Sequence, residues 1–566
     1  MAISKNLVKT ILGAALLLAA MVAALAAVAG VANLLAFVQQ GADPASALNI
    51  VPNIPPDLSV RIDRLPDPAD VGRTMDPATR DKVEAAYLRA WLQWSLSYEH
   101  GGPYGLGSYF HGPALQRVSD AISGAIADGL SISQVNTSHQ IGLRFFALDG
   151  RLLSFRDEDA HIVRITHDAK GNLVSSLELR AAYDVTMVED NGLWKIYRLT
   201  QVRSAPLGPP APAVPAPGLV ARTGNQLTLD GRAYVVAGVN YYPQATPWDL
   251  FWSSYDPQLI DADMAQVASL GMNTVRIFVP YAQFGGSQVE PKMLDRLGDL
   301  LARAEAHGLK VIVTLFDFHA DYAPLLWPRA DRHLEAILGR FVGNPAVLAW
   351  DLKNEPDLDY QAAGRANVMA WLEHTARVVR AADPSHLITI GWSNPEAAAD
   401  LTDQVDFVSF HYYAPVAQLS ARYAQLRAAT ARPLLLGEFG LSTWNSSFFP
   451  GSSEVEQAAY TADLLGKLRA TDAAGFMIWT LYDFRKVPAN VAGRAPWTNN
   501  PQQHLGVLRA DGTPKPVAAL LAPGASLNVP RPTLAARMLK PFRVTLMIVW
   551  LLLASGIALW LVPRRR

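Results

Sequence analysis

The sequence contains no cysteine among its 566 residues. This absence excludes disulfide bonds, thiolate metal sites and a thiol nucleophile, but it does not identify a cellular compartment. An excess of charge is also missing, because 49 Lys and Arg residues nearly balance 50 Asp and Glu residues. Without a basic excess, the chain has no electrostatic footprint for nucleic acid, and we predict no nucleic-acid partner.

Long apolar runs without charge lie near both ends of the chain. Residues 11–38 follow Lys5 and Lys9, and residues 544–562 precede three arginines. At about 1.5 Å of rise per residue, the second run matches the ~30 Å hydrocarbon core of a bilayer. We predict an N-terminal transmembrane anchor in residues 1–40, with a cleaved signal peptide as the alternative, and a transmembrane helix in residues 544–562. The two lysines predict cytoplasmic termini at the inner cell membrane, with the intervening chain on the extracytoplasmic, periplasmic side.

Residues 41–74 are rich in Pro, Asp and Ala and predict a tether, whereas residues 75–204 predict a compact α+β domain. The domain opens with a helix, because bulky residues recur at spacings of three and four and form one core stripe. The stripe consists of Val83, Tyr87, Trp91, Trp94 and Tyr98. A second helix at 113–127 precedes strands at 141–148, 160–165, 177–188 and 193–199, and the turn at Asn191-Gly192 joins the last two strands as a hairpin.

Two helices followed by an antiparallel sheet that ends in GLWKIYRL resemble the nuclear-transport-factor-2-like (SnoaL-like) α+β cone. The resemblance rests on the order of elements and includes no catalytic motif, so we assign this domain no chemistry. Residues 205–218, with six prolines, predict a semi-rigid polyproline spacer between the two outer domains.

Residues 219–525 show a different pattern. A short hairpin, NQLTLDGRAYVVAG, is followed by Val-, Ile- and Leu-rich runs that alternate with amphipathic helices. Eight such runs predict a (β/α)8 TIM barrel, with a doubly wound open sheet as the alternative. The runs are 235–240, 273–279, 310–316, 347–352, 387–391, 407–411, 433–437 and 475–481. Residues 526–543 then predict a juxtamembrane linker.

Two glutamates directly follow two of these runs: Glu355 in LKNEP and Glu438 in LGEFG. Parallel strands of a barrel present their carboxyl ends at one rim, so we expect the two carboxylates to share that rim. A glycosidic bond is cleaved by such a pair, because one carboxyl group protonates the leaving oxygen while the other attacks the anomeric carbon or activates water. A solvated loop position is the alternative for either glutamate.

Six fragments in strand order make the barrel resemble glycoside hydrolase family 5 of clan A, a cellulase-like family. The fragments are GVNYYP, NTVRIF, LKNEP, FHYY, LGEFG and IWTLYDF. The resemblance implies that Glu355 is the acid/base and Glu438 the nucleophile of a retaining mechanism. It also implies that supporting, substrate-binding roles fall on Arg276, Asn354, His411, Tyr413 and Trp479.

Electrostatics predict how such a pair divides its roles. The Glu438 carboxylate should raise the pKa of Glu355, while the Arg276 guanidinium should keep Glu438 ionised. Asn354 could then donate to the sugar 2-hydroxyl. A structural ion pair is the alternative for Arg276, and core packing is the alternative for Trp479.

The third strand departs from the family pattern, which commonly places a histidine at its end. Here the run VIVTLFDFHADY has Phe316 near that place, so His319, Asp317 or Asp321 could replace the histidine or line a subsite. Aromatic faces near other strand ends could bind further sugars, although packing is an equal alternative for each. These are Trp248, Trp252, Trp327, Trp392, Trp444 and Trp497.

The resemblance and the apolar ends together imply a membrane-anchored, extracytoplasmic retaining β-glycosidase. We expect it to act within a polysaccharide or oligosaccharide of the β-glucan or β-mannan type, without a metal or cofactor, because proton transfer and a carboxylate nucleophile suffice. One alternative is a transglycosylase that remodels a nascent exopolysaccharide beside a membrane synthase. Another is a catalytically inactive, glycan-binding scaffold.

Overall fold

The computed structural model describes residues 60–445, 451–533 and 548–553. The chain divides into two compact units, Met1–Pro206 and Leu207–Arg566. The anchor predicted in residues 1–40, and all but six residues of the helix predicted at 544–562, lie outside the described residues. Within the described ranges, no helix combines the length and hydropathy needed to cross a bilayer.

From residue 60 onward, where the structure describes it, the first unit contains a five-stranded sheet and two α-helices. Its strands follow the order β1 to β5, with β1 parallel to β2 and the other pairs antiparallel. Register shifts interrupt all three antiparallel ladders, and such bulges bend a sheet. The elements are β1 (Arg61–Arg64), α1 (Pro77–Glu99), α2 (Gly112–Ala127), β2 (Ser131–Phe146), β3 (Leu152–His167), β4 (Leu173–Asp190) and β5 (Leu193–Pro206).

The predicted helices and the hairpin of this unit are confirmed, but the strands are longer than predicted, and the start of the unit was placed too late. Strand β2 begins ten residues before the predicted start, because buried polar residues such as Gln134 and Asn136 break its apolar pattern. The tether prediction fails at 61–64, since these residues form β1 and pair with β2. Val71 is also buried, so the compact unit begins before residue 75.

A hydrogen-bonded cluster ties helix α1 to the sheet. Asp76 caps the helix by accepting from the Thr79 amide. Two turns further on, the Tyr87 hydroxyl donates to Asp157 at 2.8 Å, and His139 Nδ1 lies 2.5 Å from the same carboxylate. Tyr87 and Asp157 are fully buried. The predicted aromatic stripe therefore packs in the core, and its Tyr87 also makes a buried hydrogen bond to the sheet.

The second unit contains a closed barrel of eight parallel strands, which confirms the barrel prediction. The open-sheet alternative is wrong, because the last strand pairs with the first along five residues. The barrel strands are β9 (Val236–Asn240), β10 (Thr274–Pro280), β11 (Lys310–Asp317), β12 (Val347–Asn354), β13 (Leu387–Trp392), β14 (Val408–His411), β15 (Leu434–Glu438) and β16 (Gly475–Trp479). They are preceded by the small sheet β6 (Val220–Thr223), β7 (Gln226–Leu229) and β8 (Arg232–Ala233).

Helices follow every barrel strand except β13, which is followed by a short 3-10 helix, and the strands are almost entirely buried, so they read as mostly apolar runs. The helices are α3 (Pro257–Ser269), α4 (Pro291–Ala306), α5 (Trp327–Phe341), α6 (Tyr360–Ala363), α7 (Arg365–Ala382), α8 (Leu419–Ala429), α9 (Glu454–Arg469), α10 (Ala489–Ala492) and α11 (Pro496–Gln503).

The Pro-rich segment does not run free of the second unit as the spacer prediction implied. The Ala213 amide donates to Asp406 at 3.0 Å, and the Val214 amide donates to the Pro384 carbonyl at 2.8 Å. The backbone amides of Ala213 and Val214, which lie between prolines, are therefore paired with the second unit. This part of residues 205–218 packs against the barrel.

Candidate active site

Glu355 and Glu438 lie at the same rim of the barrel. Glu438 is the last residue of β15, and Glu355 directly follows β12. One oxygen of each carboxylate and one nitrogen of His411 all lie within 4.8 Å of one another. The backbone of Glu355 is left-handed, with φ of 46°, a conformation that residues other than glycine rarely adopt and that is enriched at functional sites.

Arg276, on β10, holds the nucleophile candidate in place. Its Nη1 donates to Glu438 Oε1 at 2.7 Å, and its Nε and Nη2 donate to Asp351 Oδ2 at 3.0 and 2.6 Å. Only 2% of Arg276 is exposed. One guanidinium therefore bridges the buried Asp351 carboxylate and the Glu438 carboxylate at the site, and the supporting role of Arg276 stays a prediction.

The same guanidinium orients Asn354. Arg276 Nη2 donates to Asn354 Oδ1 at 2.9 Å, which fixes the amide so that its NH2 group remains for a ligand. Asn354 lines the cavity described below. The arrangement can present two N–H donors to a sugar hydroxyl beside the two glutamates.

His411, at the end of β14, contacts both glutamates, and Tyr413, two residues later, contacts Glu438. His411 Nδ1 lies 2.8 Å from Glu355 Oε1 and 3.6 Å from Glu438 Oε2. The Tyr413 hydroxyl donates to Glu438 Oε2 at 3.2 Å. Both oxygens of Glu438 therefore accept hydrogen bonds, and the carboxylate is held in one orientation.

The pKa order of the two glutamates is the reverse of the expected one. Burial raises the pKa of Glu438, and the positive charges of His411 and Arg276 offset this only in part. Burial also acts to raise the pKa of Glu355, but the hydrogen bond and charge of His411, together with the charges of Arg276 and Lys353, outweigh burial and lower this pKa. The prediction failed because it counted Glu438 as the main neighbour of Glu355 and overlooked the contact with His411.

A cavity of about 530 Å³ opens over the two glutamates. This volume falls within the range of small-ligand sites. Trp479, at the end of β16, forms part of its wall together with Tyr242, Trp248 and Phe278. The aromatic wall offers apolar faces to a sugar ring, next to the carboxylates that would act on it.

Most of the other tryptophans that were predicted as possible sugar-binding residues do not line this cavity. Trp252, Trp327 and Trp392 are fully buried, so packing is their role. Trp497 is 63% exposed, and neither it nor Trp444 contributes to the cavity wall.

The third strand delivers Asp317 and His319 to the cavity wall. Phe316 instead faces the helices, where its ring meets Trp371 at 4.9 Å between centroids, and Asp321 is exposed. Asp317 is 5% exposed, and burial raises its pKa to about 6. His319 is packed against Tyr281 at 4.6 Å, and burial lowers its pKa to about 4.

Sequence reasoning missed several residues that build the site. Asp351 is fully buried and accepts from Arg276, Thr314 and the Gly391 amide. Lys353 lines the cavity and lies 3.2 Å from Asp359 Oδ2. Both residues alternate with Leu352 in DLKNEP, and two charged side chains inside an otherwise apolar strand were the available sign that they face the barrel interior.

Glu355, His411 and Glu438 are close enough for their ligand atoms to share a cation. The Arg276 guanidinium already neutralises Glu438 at 2.7 Å, and the repulsion between two cations disfavours a metal there. The arrangement instead suits acid–base and nucleophilic chemistry, since it pairs an oriented carboxylate with a second, partly exposed one.

Comparisons with known proteins agree with this geometry. Residues 235–484, a little under half of the chain, match the family model for Cellulase (glycosyl hydrolase family 5). Mannan endo-1,4-beta-mannosidase 7 of Arabidopsis thaliana is 22% identical over 346 residues, which cover 48% of this chain and 79% of the relative. Mannan endo-1,4-beta-mannosidase A of Podospora anserina is 26% identical over 280 residues, which cover 38% of this chain and 72% of the relative.

Among solved structures, an exo-β-1,4-mannosidase of Opitutaceae bacterium strain TAV5 matches with a TM-score of 0.45 and 22% identity. The match covers 52% of this chain and 59% of the length of that structure. The family model spans all eight barrel strands and both glutamates. Residues 235–484 therefore match the catalytic domain of glycoside hydrolase family 5, and the chain is a retaining glycoside hydrolase.

Proposed function

We propose that this enzyme cleaves within a neutral β-linked polysaccharide of the β-mannan or β-glucan type, with Glu438 as nucleophile and Glu355 as acid/base. The observation that carries the proposal is the approach of the two carboxylates to within 4.8 Å over a 530 Å³ cavity. Retaining glycosidases place these groups about 5 to 5.5 Å apart, whereas inverting enzymes need a wider gap for water.

In the first step, a Glu438 oxygen attacks the anomeric carbon and the glycosidic C–O bond breaks. The leaving oxygen takes the proton of Glu355, and a covalent glycosyl ester forms on Glu438. Arg276 and Tyr413, which donate to the two Glu438 oxygens, keep the attacking carboxylate oriented.

In the second step, Glu355 accepts a proton from water as the water oxygen attacks the same anomeric carbon. The ester bond breaks, Glu438 leaves as a carboxylate, and the configuration of the sugar is retained. Asn354, fixed by Arg276, donates to the 2-hydroxyl, a contact that strengthens as charge develops on the ring.

The first step needs a proton on Glu355, and the hydrogen bond and charge of His411 disfavour that proton. The Glu355 side chain is 26% exposed, so a sugar that covers it removes water and shifts its lowered pKa upwards. Substrate binding therefore favours protonation of Glu355, so the leaving group contacts a protonated carboxyl group.

The charges of the cavity wall favour a neutral substrate. The cavity wall carries four carboxyl groups against one ammonium group, Lys353, which is itself paired with Asp359. A uronic acid would bring a further negative charge into this space, and like charges a few ångström apart repel strongly at low dielectric. The relatives named above act on mannan, which favours a β-mannan over a β-glucan among neutral polymers.

We further propose that the apolar runs at residues 11–38 and 544–562 hold the enzyme at the cell membrane with its barrel on the extracytoplasmic side. The absence of charge in both runs and the adjacent Lys5 and Lys9 support this placement. For residues 75–204, we retain the resemblance to the nuclear-transport-factor-2-like cone as a proposal, supported by two helices that precede a bent antiparallel sheet.

The test is a polysaccharide panel with the full chain in detergent, read by product size. We expect short oligosaccharides and new reducing ends from a β-1,4-mannan, and none with Glu438→Ala. Lengthened products would favour the transglycosylase alternative. Equal inactivity of the wild type and Glu438→Ala on every polymer, with binding retained, would favour the scaffold alternative and overturn the proposal.

A further inference from the structure

Helix α9 marks the direction of the rim that carries the two glutamates. It begins on the side of this rim, because the helices of such a barrel start near the carboxyl ends of the strands. In its first turns, Gln457 donates to the Leu441 carbonyl at 3.0 Å, and Leu441 lies three residues after Glu438. Positions along α9 therefore show how far a neighbouring segment lies from the rim.

The segment that follows the barrel runs along α9 towards the rim. Arg469, the last residue of the helix, donates to the Ala525 carbonyl at 2.7 Å. Further along the chain, Arg531 donates to the Ala459 carbonyl at 3.3 Å and lies 2.8 Å from Asp463. The contact on the helix thus moves from residue 469 to residue 459, which is about 15 Å along its axis. The chain therefore leaves the barrel on the side of the two glutamates.

The link from this segment to the predicted transmembrane helix is short. The described residues before that helix end at Thr533, and the helix is predicted to begin at residue 544. A fully extended chain of this length spans at most about 40 Å. The proposed attachment therefore favours the rim side of the barrel, where the chain leaves it, as the side next to the bilayer.

Residues 484–504, here called the rim loop, follow β16 and reach the mouth of the cavity. The two ends of the loop meet, because the Phe484 amide donates to the Gln503 carbonyl at 2.9 Å. Its contribution to the cavity wall consists of Asn490, Val491 and Gln502. The outer surface of the rim loop therefore lies beside the cavity mouth.

This outer surface combines an exposed tryptophan with positive charge. Trp497 is 63% exposed and does not line the cavity. Arg485, Lys486 and Arg494 are also exposed, and residues 484–510 contain no Asp or Glu that could neutralise them within the loop. Tryptophan is favoured at the interface between lipid and water, and basic side chains are attracted to anionic headgroups.

We propose that the rim of the barrel faces the bilayer and that the rim loop rests on anionic lipid headgroups through Trp497 and its three basic residues. The inference rests on the proposed membrane attachment and goes beyond it, since the apolar ends supply the attachment while the loop sets the orientation of the barrel. The cavity mouth then opens beside the headgroups, so a glycan reaches the glutamates along the membrane surface. An acidic polysaccharide would be attracted by the same charges, and the test separates the two.

The absence of cysteine allows a label at one chosen position of the full chain. Thr498→Cys, labelled with a fluorophore, is reconstituted in vesicles of phosphatidylcholine and phosphatidylglycerol that contain a lipid with a nitroxide quencher on its headgroup. We expect at least about 2-fold quenching, and much less in phosphatidylcholine alone. A label at Gln226→Cys should stay unquenched, because its neighbour Leu227 packs with Val236 and Leu387 at the opposite end of the barrel.

Variants of the rim loop test which side chains hold it on the lipid. Trp497→Ala, and separately the combined change of Arg485, Lys486 and Arg494 to Gln, should each reduce the quenching at residue 498 to the level seen in phosphatidylcholine. Arg232→Gln, an exposed arginine at the opposite end of the barrel, is the matched control and should keep the quenching. All variants should keep the wild-type kcat/KM on a small aryl glycoside in detergent, because none of these side chains lines the cavity.

A chain that floats with the vesicles but shows no quenching at residue 498, or equal quenching at residues 498 and 226, would overturn the inference and leave the attachment standing. A label at residue 498 that responds to dissolved polyglucuronate and not to lipid would also overturn it, and would assign the loop to an acidic polysaccharide. A full chain that does not float with vesicles would instead defeat the proposed attachment itself, so the two failures are distinguishable.

Discussion

At the scale of single residues, the two glutamates differ in their surroundings and should therefore differ in their response to removal. Glu438 is 6% exposed and accepts from Arg276 and Tyr413, whereas Glu355 is partly exposed and contacts His411. A buried, doubly held carboxylate suits attack at a fixed carbon. A partly exposed one suits proton exchange with a leaving group and then with water.

Azide rescue can assign these roles. In Glu438→Ala, we expect kcat on an aryl β-glycoside to fall by at least about 10³-fold, because no covalent ester can form. Azide should restore turnover and yield the α-glycosyl azide, since it attacks from the side of the missing nucleophile. In Glu355→Ala, azide should yield the β-glycosyl azide, by attack on the ester at Glu438. Product stereochemistry by NMR checks this, and exchanged outcomes would reverse the assignment.

His411 allows a test based on pH. Its hydrogen bond and charge lower the pKa of Glu355, so His411→Asn should raise that pKa. Because kcat/KM requires protonated Glu355, the alkaline limb of its pH profile should move to higher pH. A profile measured on an activated aryl glycoside would show the shift. A limb that stays in place, or moves to lower pH, would show that His411 does not control the proton on Glu355.

At the scale of elements, the barrel strands were predictable because nearly all of their residues are buried and each strand reads as a mostly apolar run. Strand β10, for example, is buried at all seven of its residues. Strand β2 was harder to predict, because its buried residues include polar ones, such as Gln134 and Asn136, as well as apolar ones. Sequence periodicity reports side-chain polarity, and it fails where polar residues are buried by tertiary contacts.

The contact between helix α1 and the sheet gives a prediction about stability. Asp157→Ala removes the partner of Tyr87 and His139, and both are left buried without it. We expect a loss of about 2 to 4 kcal/mol in the free energy of unfolding of the first unit, from two unsatisfied polar groups and a small cavity. Urea denaturation monitored by tryptophan fluorescence measures the loss.

Asp157→Asn serves as the control for this change. It keeps the volume and an acceptor for Tyr87, so its loss should be smaller than that of Asp157→Ala. Unchanged stability in both variants would show that the cluster contributes nothing to holding α1 against β3.

At the scale of the whole molecule, the proposed membrane attachment depends on the two apolar ends and not on the barrel. We expect the full chain to sediment with membranes, and a chain that lacks both 11–38 and 544–562 to remain in the soluble fraction, because both long uncharged runs are gone. Its kcat/KM on a small aryl glycoside should equal that of the full chain. Fractionation followed by activity assay checks both points. A full chain that is soluble without detergent would contradict the proposed attachment.

The sequence alone determined the eight strands, the barrel class and the residues at the strand ends, because hydrophobic periodicity and short motifs are local properties. It also placed Glu355, Glu438, Arg276, Asn354, His411 and Tyr413 on strands that a barrel brings to one rim. Only the tertiary structure decided that Asp317 reaches the cavity while Phe316 faces the helices, and that His411 reverses the expected pKa order of the glutamates. The physical reason is that burial and charge depend on distances between strands that are remote in sequence, and no local pattern records them.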